Sequence, residues 1–545
     1  VTDTAQPPPL GALGATAERP AHDRLFWPAV GVTATVAAGF LLHQLMAWPP
    51  HEDETLALFV GRDSLPGVIE HVTRERGGAP LHFVVAWVVA HLGLGLGGLR
   101  LVSAALAVAS LPLVAALASR LAGRGVALAA TLLTAASWAF LFHGVYARMY
   151  SLFLCTSLLT MLALLRALER HGAAPWALFA AAALTMVAAH PYGALVLAGL
   201  GLFVVLAHRD RWRAALAGFG AVAVLGIPFW LTNLVLAGRF EVGVGGGGAR
   251  LGSPRAVGGY LWRTAGDFSV GWWPALLPVL ALAALGLVVV RRESRLFVLA
   301  LLAAPTAAFL AARLGGSTSP ESRHLIFLLP LLATLVAAGV LRASRLLPAV
   351  APLLVAALLV AEVAWAWQRT PPLFEWEPDR RQTARAEAED WLASGGRPDD
   401  VLFGYEPLFL GAWERNRDFS AVVVPRADSV LALRVLRERA PLGRGVWVLD
   451  ASKRNNVAAR LEIERRTPVP AGAFETVAFG PFLVIRTRAP LVTPAAYLLT
   501  AARVQLVGRS LGIGDADVNM ATVEWADRAQ RGYGPSLRSR SSSSR

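Results

Sequence analysis

The chain has 545 residues, 55% of them hydrophobic and only 16% charged, with a mean hydropathy of +0.51. Soluble proteins carry about 25% charged residues, so disorder, a collagen-like fibre and an ordinary soluble enzyme are excluded and a membrane protein remains. Lys and Arg outnumber Asp and Glu by 51 to 37, but a membrane protein collects such an excess in the loops of one face, which gives no argument for a nucleic-acid partner.

In chain order, residues 1–25 are polar and Pro-rich and read as a disordered cytoplasmic N-terminus. Phe26 to Trp48 is almost uninterruptedly apolar. It is too long for a signal-peptide core and no small-residue cleavage site follows, so it is expected to be a retained membrane helix. Further apolar stretches lie near 80–97, 101–119, 126–142, 149–165, 175–189, 192–207, 214–234, 274–290, 296–312, 324–341 and 346–366. The lone cysteine, Cys155, excludes an internal disulfide framework.

Positive charge sets the expected orientation. Arg120 with Arg124, Arg166 with Arg170, the group His208, Arg209, Arg211 and Arg213, the group Arg291, Arg292 and Arg295, and Arg342 with Arg345 each follow an apolar run. All of these fall on the cytoplasmic side if the run 80–97 does not cross. That run is short, holds His82 and His91 and ends in Gly93, Gly95, Gly97 and Gly98, which suits an interfacial helix. The expectation is a mainly α, multi-pass plasma-membrane bundle of about 11 crossings. Its N-terminus is inside and its C-terminus outside, and membrane lipids surround it.

From Gln368 onward charge density rises and the long apolar runs stop. Short β-type runs (Val401–Tyr405, Ala421–Val424, Gly445–Leu449, Phe482–Ile485) alternate with helical patterns such as Ser429–Arg439. This predicts a smaller extracytoplasmic α/β domain over 368–490. A helical segment over 491–535 follows, with helices near 494–510 and 516–531, then a disordered Ser/Arg tail over 536–545. Gly245–Gly248 marks an outer loop.

Chemistry is concentrated in segments that all map to the outer face. His51-Glu52-Asp53-Glu54-Thr55 follows the first helix directly. Read from the residues alone, it is either a solvated helix start complementing the helix dipole or, with a histidine and carboxylates, a divalent-metal site. Tyr146-Ala147-Arg148-Met149-Tyr150 marks a re-entry into the membrane, where Arg148 could equally snorkel towards lipid phosphate. Ala189-His190-Pro191-Tyr192 is a Pro-induced break, and Glu321-Ser322-Arg323-His324 opens the next-to-last span. Tyr260, Trp262, Arg263, Asp267, Trp272 and Trp273 could stack on a sugar, but an interfacial aromatic belt is the simpler reading. A transporter would need its polar groups near the midplane, and these lie at one end.

The order of these features resembles the GT-C class of membrane glycosyltransferases, and within it family 39, the protein O-mannosyltransferase and aminoarabinose transferase type. The matching stretches are Asp53-Glu54-Thr55, Gly78-Ala79-Pro80-Leu81-His82, Leu99-Arg100-Leu101-Val102-Ser103-Ala104, Ala147-Arg148-Met149-Tyr150-Ser151-Leu152, His190-Pro191-Tyr192 and Arg323-His324-Leu325 through Pro330. They lie within residues 26–366, so the transferase domain is placed over 26–367. The family often has a glutamate where Tyr146 stands and a tyrosine where His324 stands.

The resemblance implies a polyprenyl-phosphate sugar as donor and an acceptor on the outer face, whether protein, lipid or polysaccharide. A donor phosphate at headgroup level puts the reacting carbon at the interface. A carboxylate can take the acceptor's proton as the hydroxyl attacks, while arginines hold the leaving phosphate bidentately. Asp53 is the expected base, with Glu54 positioning the acceptor or the base. Arg148 and Arg323 form the expected phosphate clamp, and Tyr150, His190, Tyr192 and His82 line the pocket. These side chains are expected to meet in one cleft. The rivals are a transporter or flippase of lipid-linked sugars and a non-catalytic envelope-binding protein.

Overall fold

The computed structural model describes residues 22–241, 253–311, 321–370, 379–420, 422–425, 429–439, 441–450 and 472–510. Gly245–Gly248, the helix expected near 516–531 and the tail 536–545 lie outside the described residues. The chain divides into two compact units. The first comprises Val1–Trp48, Ser64–Val235 and Ala249–Glu375, and the second Pro49–Asp63, Leu236–Gly248 and Trp376–Arg545.

The first unit is built from helices, and the protein is a multi-pass membrane protein. Six described helices are long and apolar enough to cross a bilayer: Arg24–Gln44, Gly95–Ala122, Tyr150–Glu169, Arg292–Ala311, Ser322–Leu346 and Val350–Arg369. Three bent pairs raise the count to nine if each is one span. One of them, Arg124–Ala136 with Trp138–Val145, turns by 55° at Ser137. Ser137 adopts an extended backbone there, and its hydroxyl accepts the Phe140 N–H, starting a new helix inside the apolar run. Pro80–His91 has only 12 residues, about 18 Å of helix against a hydrocarbon core of about 30 Å, so it cannot span by itself.

Sequence dictates where several helices stop. Gly123 (φ +88°) and Gly172 (φ +102°) reverse the chain between neighbouring helices in a left-handed conformation that other residues avoid. Arg120 and Arg124 flank the first of these turns. Small residues then set how closely helices approach. A Cβ on Gly286 would lie 1.9 Å from the Leu335 carbonyl oxygen, and one on Gly339 2.0 Å from that of Leu282. The helices Trp273–Val289 and Leu329–Ala343 therefore touch backbone to backbone, as membrane helices do through small residues.

The second unit contains a five-stranded sheet in the order β2-β1-β3-β5-β4, with β1 Val401–Phe403, β2 Val422–Val424, β3 Gly445–Asp450, β4 Phe474–Phe479 and β5 Phe482–Thr487. Strand β1 runs parallel to β2 and β3, in register Val401 with Val422 and with Gly445. Strand β5 is antiparallel to β3 and β4, with Trp447 opposite Ile485 and Val477 opposite Val484. The sheet packs through Val401, Phe403, Trp447, Leu483 and Ile485 against Leu436, Tyr497 and Leu498 from the helices Ser429–Glu438 and Pro494–Ser510. Asp400, fully buried, is held by Arg444 through two bonds of 2.9 and 2.7 Å; this compensates the charge inside the unit. Strand β4 and the helices Asp379–Gly395 and Pro407–Arg415 are elements that the hydrophobic runs did not mark.

Candidate functional site

In the first unit, the turn between Trp138–Val145 and Tyr150–Glu169 carries Arg148. Breaking a helix inside an apolar bundle frees carbonyls that must find donors. Ser151 Oγ donates to the His143 carbonyl (2.8 Å), and Ser103 Oγ lies 3.1 Å from the same oxygen and 3.3 Å from that of Tyr146. Three positions before Ser103 stands Arg100, whose buried guanidinium donates 2.8 Å bonds to the carbonyls of Leu45 and Trp48 and closes the first helix. Arg100 and Ser103 thus shape the site from outside it.

Arg323 stands on the 3-10 helix Ser322–Leu328. Its guanidinium carbon is 5.2 Å from the centre of the Tyr150 ring, and Nη2 donates to Glu321 Oε1 at 2.5 Å. Around Tyr150 the rings of His143 (4.9 Å), His190 (5.7 Å) and His324 (6.0 Å) gather. Tyr192 lies 5.5 Å from His190 and 5.1 Å from His324. The His190 ring also stacks on Phe153 at 4.5 Å.

His190 ends the helix Ala173–Ala189, and its Nδ1 accepts the Tyr192 N–H (3.1 Å), which requires that nitrogen to be unprotonated. Burial lowers its pKa to about 3, with the charges of Arg148 and then Arg323 pushing the same way. Burial likewise lowers His82, on the short Pro80–His91 helix, to about 3, with Arg148 the further cause. The cluster therefore sets two arginines, one of them paired with Glu321, beside rings of which burial keeps His190 and His82 neutral.

The helix Pro254–Phe268 braces this 3-10 turn at two points. Tyr260 Oη donates to the Glu321 carbonyl (3.0 Å), and Asp267 Oδ2 accepts the Ser322 hydroxyl (2.6 Å). Asp267 Oδ1 also takes Arg369 Nε at 3.0 Å, and the Arg369 guanidinium lies 4.6 Å from the Trp138 ring centre. Sequence reasoning missed Arg369 and His143. It placed Tyr260 and Asp267 in an aromatic belt, whereas both turn inward and are buried. The one signal available was that Arg369 closes the last apolar run on the face where Arg148 and Arg323 begin theirs.

The structure thus brings Arg148, Arg323, Tyr150, His190, Tyr192 and His82 into one cluster. Asp53 and Glu54 belong to the second unit. There His51 caps the helix Glu52–Gly61: its Nδ1 accepts the Asp53 N–H (3.1 Å) while its own N–H donates to Glu54 Oε2 (3.1 Å), a reciprocal capping box. Glu54 is fully buried and Asp53 partly so. Among the described residues no group of three His, Cys, Asp or Glu is placed to hold a metal ion.

No protein-family model matches the sequence, and no curated protein matches it. Solved structures do. The crystal structure of ArnT from Cupriavidus metallidurans bound to undecaprenyl phosphate covers 86% of this chain and 98% of its own, at 16% identity and a TM-score of 0.54. The apo form of the same protein gives 16% identity and a TM-score of 0.53 over 84% and 97%. The arabinofuranosyltransferase AftD from Mycobacteria gives 16% and 0.53 over 86% of this chain, which spans 40% of AftD. Helices, breaks and appended sheet together give the chain the GT-C fold of membrane glycosyltransferases.

Proposed function

We propose that this protein is a membrane glycosyltransferase that moves a sugar from a polyprenyl-phosphate donor to an acceptor hydroxyl on the outer face of the membrane. The observation that carries the reading is the side-chain cluster in which Arg323 lies over Tyr150 and both Arg148 and Arg323 act on a neutral His190. Guanidinium groups recognise phosphate oxygens bidentately, and the similar ArnT structure is one bound to undecaprenyl phosphate.

In this reading the donor phosphate rests between the two arginines, and Tyr150, His190, Tyr192 and His82 line the pocket around the donor. The acceptor oxygen attacks the anomeric carbon as its proton passes to the Asp53 carboxylate. The bond from that carbon to the phosphate oxygen breaks, and polyprenyl phosphate leaves as an anion. A single displacement inverts the anomeric centre. The leaving group is already a stable anion, so cations serve it and no second carboxylic acid is required, unlike glycoside hydrolysis. Glu54 is the positioning residue that fixes the helix start bearing Asp53. The N-terminus is cytoplasmic and the α/β unit extracytoplasmic, so a reporter fused after Arg124 reads as cytoplasmic. Purified protein mixed with a radiolabelled polyprenyl-phosphate sugar releases sugar from lipid; Asp53→Asn inserts and accumulates but does not. Near-wild-type turnover by Asp53→Asn removes Asp53 from the mechanism.

A further inference from the structure

The helix Glu52–Gly61 is fastened to the C-terminal α/β unit largely through the main chain of one residue. Glu52 Oε1 accepts the Tyr405 N–H (2.9 Å), and the Thr55 hydroxyl donates to the Tyr405 carbonyl. One turn on, the Phe59 and Tyr405 rings lie 5.9 Å apart. At the C-cap, Arg62 Nη2 donates to the Ser420 carbonyl (3.0 Å), and its guanidinium lies 5.1 Å from the Phe59 ring and 5.4 Å from the Trp413 ring. Burial lowers the Arg62 pKa to about 10, which leaves it charged at neutral pH.

Positions 52, 55, 59 and 62 form one stripe of a helix, because each residue turns the chain by about 100°. Asp53 falls off that stripe by about one such step. Tyr405 follows β1 directly, beyond Gly404, whose φ of +97° turns the chain out of the strand. The Gly404 N–H is tied to the Val424 carbonyl at the end of β2 (2.8 Å). The anchor is therefore part of the sheet framework and not a free loop tip. Glu52 and Thr55, three positions apart on the helix, supply one acceptor and one donor that take both main-chain hydrogen-bonding groups of Tyr405.

We propose that the α/β unit is the positioning element for the acceptor-side carboxylate, and that Glu52, Thr55 and Arg62 are the residues through which Tyr405 and Ser420 set the place of Asp53. This rests on Asp53 being the base. Catalytic geometry is intolerant of shifts of about 1 Å, so loosening the stripe lowers turnover without touching donor binding.

The test uses the full chain in nanodiscs. Thr55→Val deletes the hydroxyl at nearly constant shape, Arg62→Met deletes the second anchor, and Thr55→Ser restores the hydroxyl. The expected result for Thr55→Val and Arg62→Met is a fall in kcat of tenfold or more with affinity for polyprenyl phosphate unchanged. Amide exchange across 52–61 is faster while β1–β5 stay protected, and Thr55→Ser returns both towards wild type. Wild-type kcat, or unchanged exchange over 52–61, overturns the proposal. A general loss of protection in the sheet or of donor affinity overturns it too, because the residues would then only hold the fold. If Asp53→Asn stays active the base assignment fails by itself, while the exchange data still report on the anchor. If Asp53→Asn is inactive and Thr55→Val is not impaired, the anchor alone fails.

Discussion

The phosphate clamp yields the sharpest prediction. Arg323 is 17% exposed, and its partner Glu321 is 56% exposed. An ion pair with so exposed a partner contributes about 0–1 kcal/mol. A charge-assisted contact between Arg323 and a bound phosphate is worth about 1.5–3 kcal/mol, so the anion contact dominates what Arg323→Ala removes. That corresponds to roughly tenfold to a hundredfold weaker binding of polyprenyl phosphate. Arg323→Lys keeps the charge but loses the planar fork and its place over Tyr150, and should fall between wild type and alanine. Arg148→Ala should weaken binding over the same range. Two groups on one phosphate are not independent, so the double variant should depart from additivity by about 0.5 kcal/mol or more. Calorimetric titration of each purified variant with polyprenyl phosphate at fixed salt gives the four corners of the cycle. Affinities within twofold of wild type for both alanine variants would refute the clamp.

Asp267 should act on the donor through the 3-10 turn: Asp267→Ala frees the Ser322 hydroxyl and Arg369 together and is expected to raise the donor KM about tenfold, from about 1–3 kcal/mol of lost partners, with kcat nearly unchanged. Asp267→Asn, which can still accept from Ser322, should raise it less, and equal KM values for both variants would contradict the brace. His190 gives a pH prediction whose sign is fixed by its lowered pKa of about 3. Below pH 6.5 the unfolded chain takes up a proton that the native ring refuses, so stability falls as pH drops from 6.5 towards 3, by about 2 kcal/mol at pH 5. Thermal unfolding at pH 7 and pH 5 should show a smaller loss for His190→Gln than for the wild type. Gly286→Ala and Gly339→Ala place a methyl group about 2 Å from a facing carbonyl oxygen and should lower the yield and melting temperature of the folded protein; melting at the wild-type temperature would contradict the helix contact.

Much of the membrane part is written in the order of its residues. Apolar runs, the arginines that interrupt them and the glycines at 123 and 172 mark where helices begin and end, because backbone groups in lipid must be satisfied within the helix. The charge density after Gln368 and the runs at Val401 and Gly445 mark a sheet of another character. Arg148 and Arg323 stand out because most other arginines beside the apolar runs collect at the opposite ends, and His190 and Tyr192 because they flank a Pro-induced break. What a run of leucine and alanine does not carry is direction. A helix apolar on every side has no marked face, so nothing in the sequence tells that Tyr260 and Asp267 grip the turn of Arg323, or that His143 joins the ring cluster. The anchoring of the Asp53 helix on Tyr405 is equally silent, since it uses the main chain of Tyr405, whose N–H and C=O are the same in every residue but proline. Sequence determined where the chain is apolar, where it breaks and which charges lie at the breaks; only packing in three dimensions decided which breaks meet.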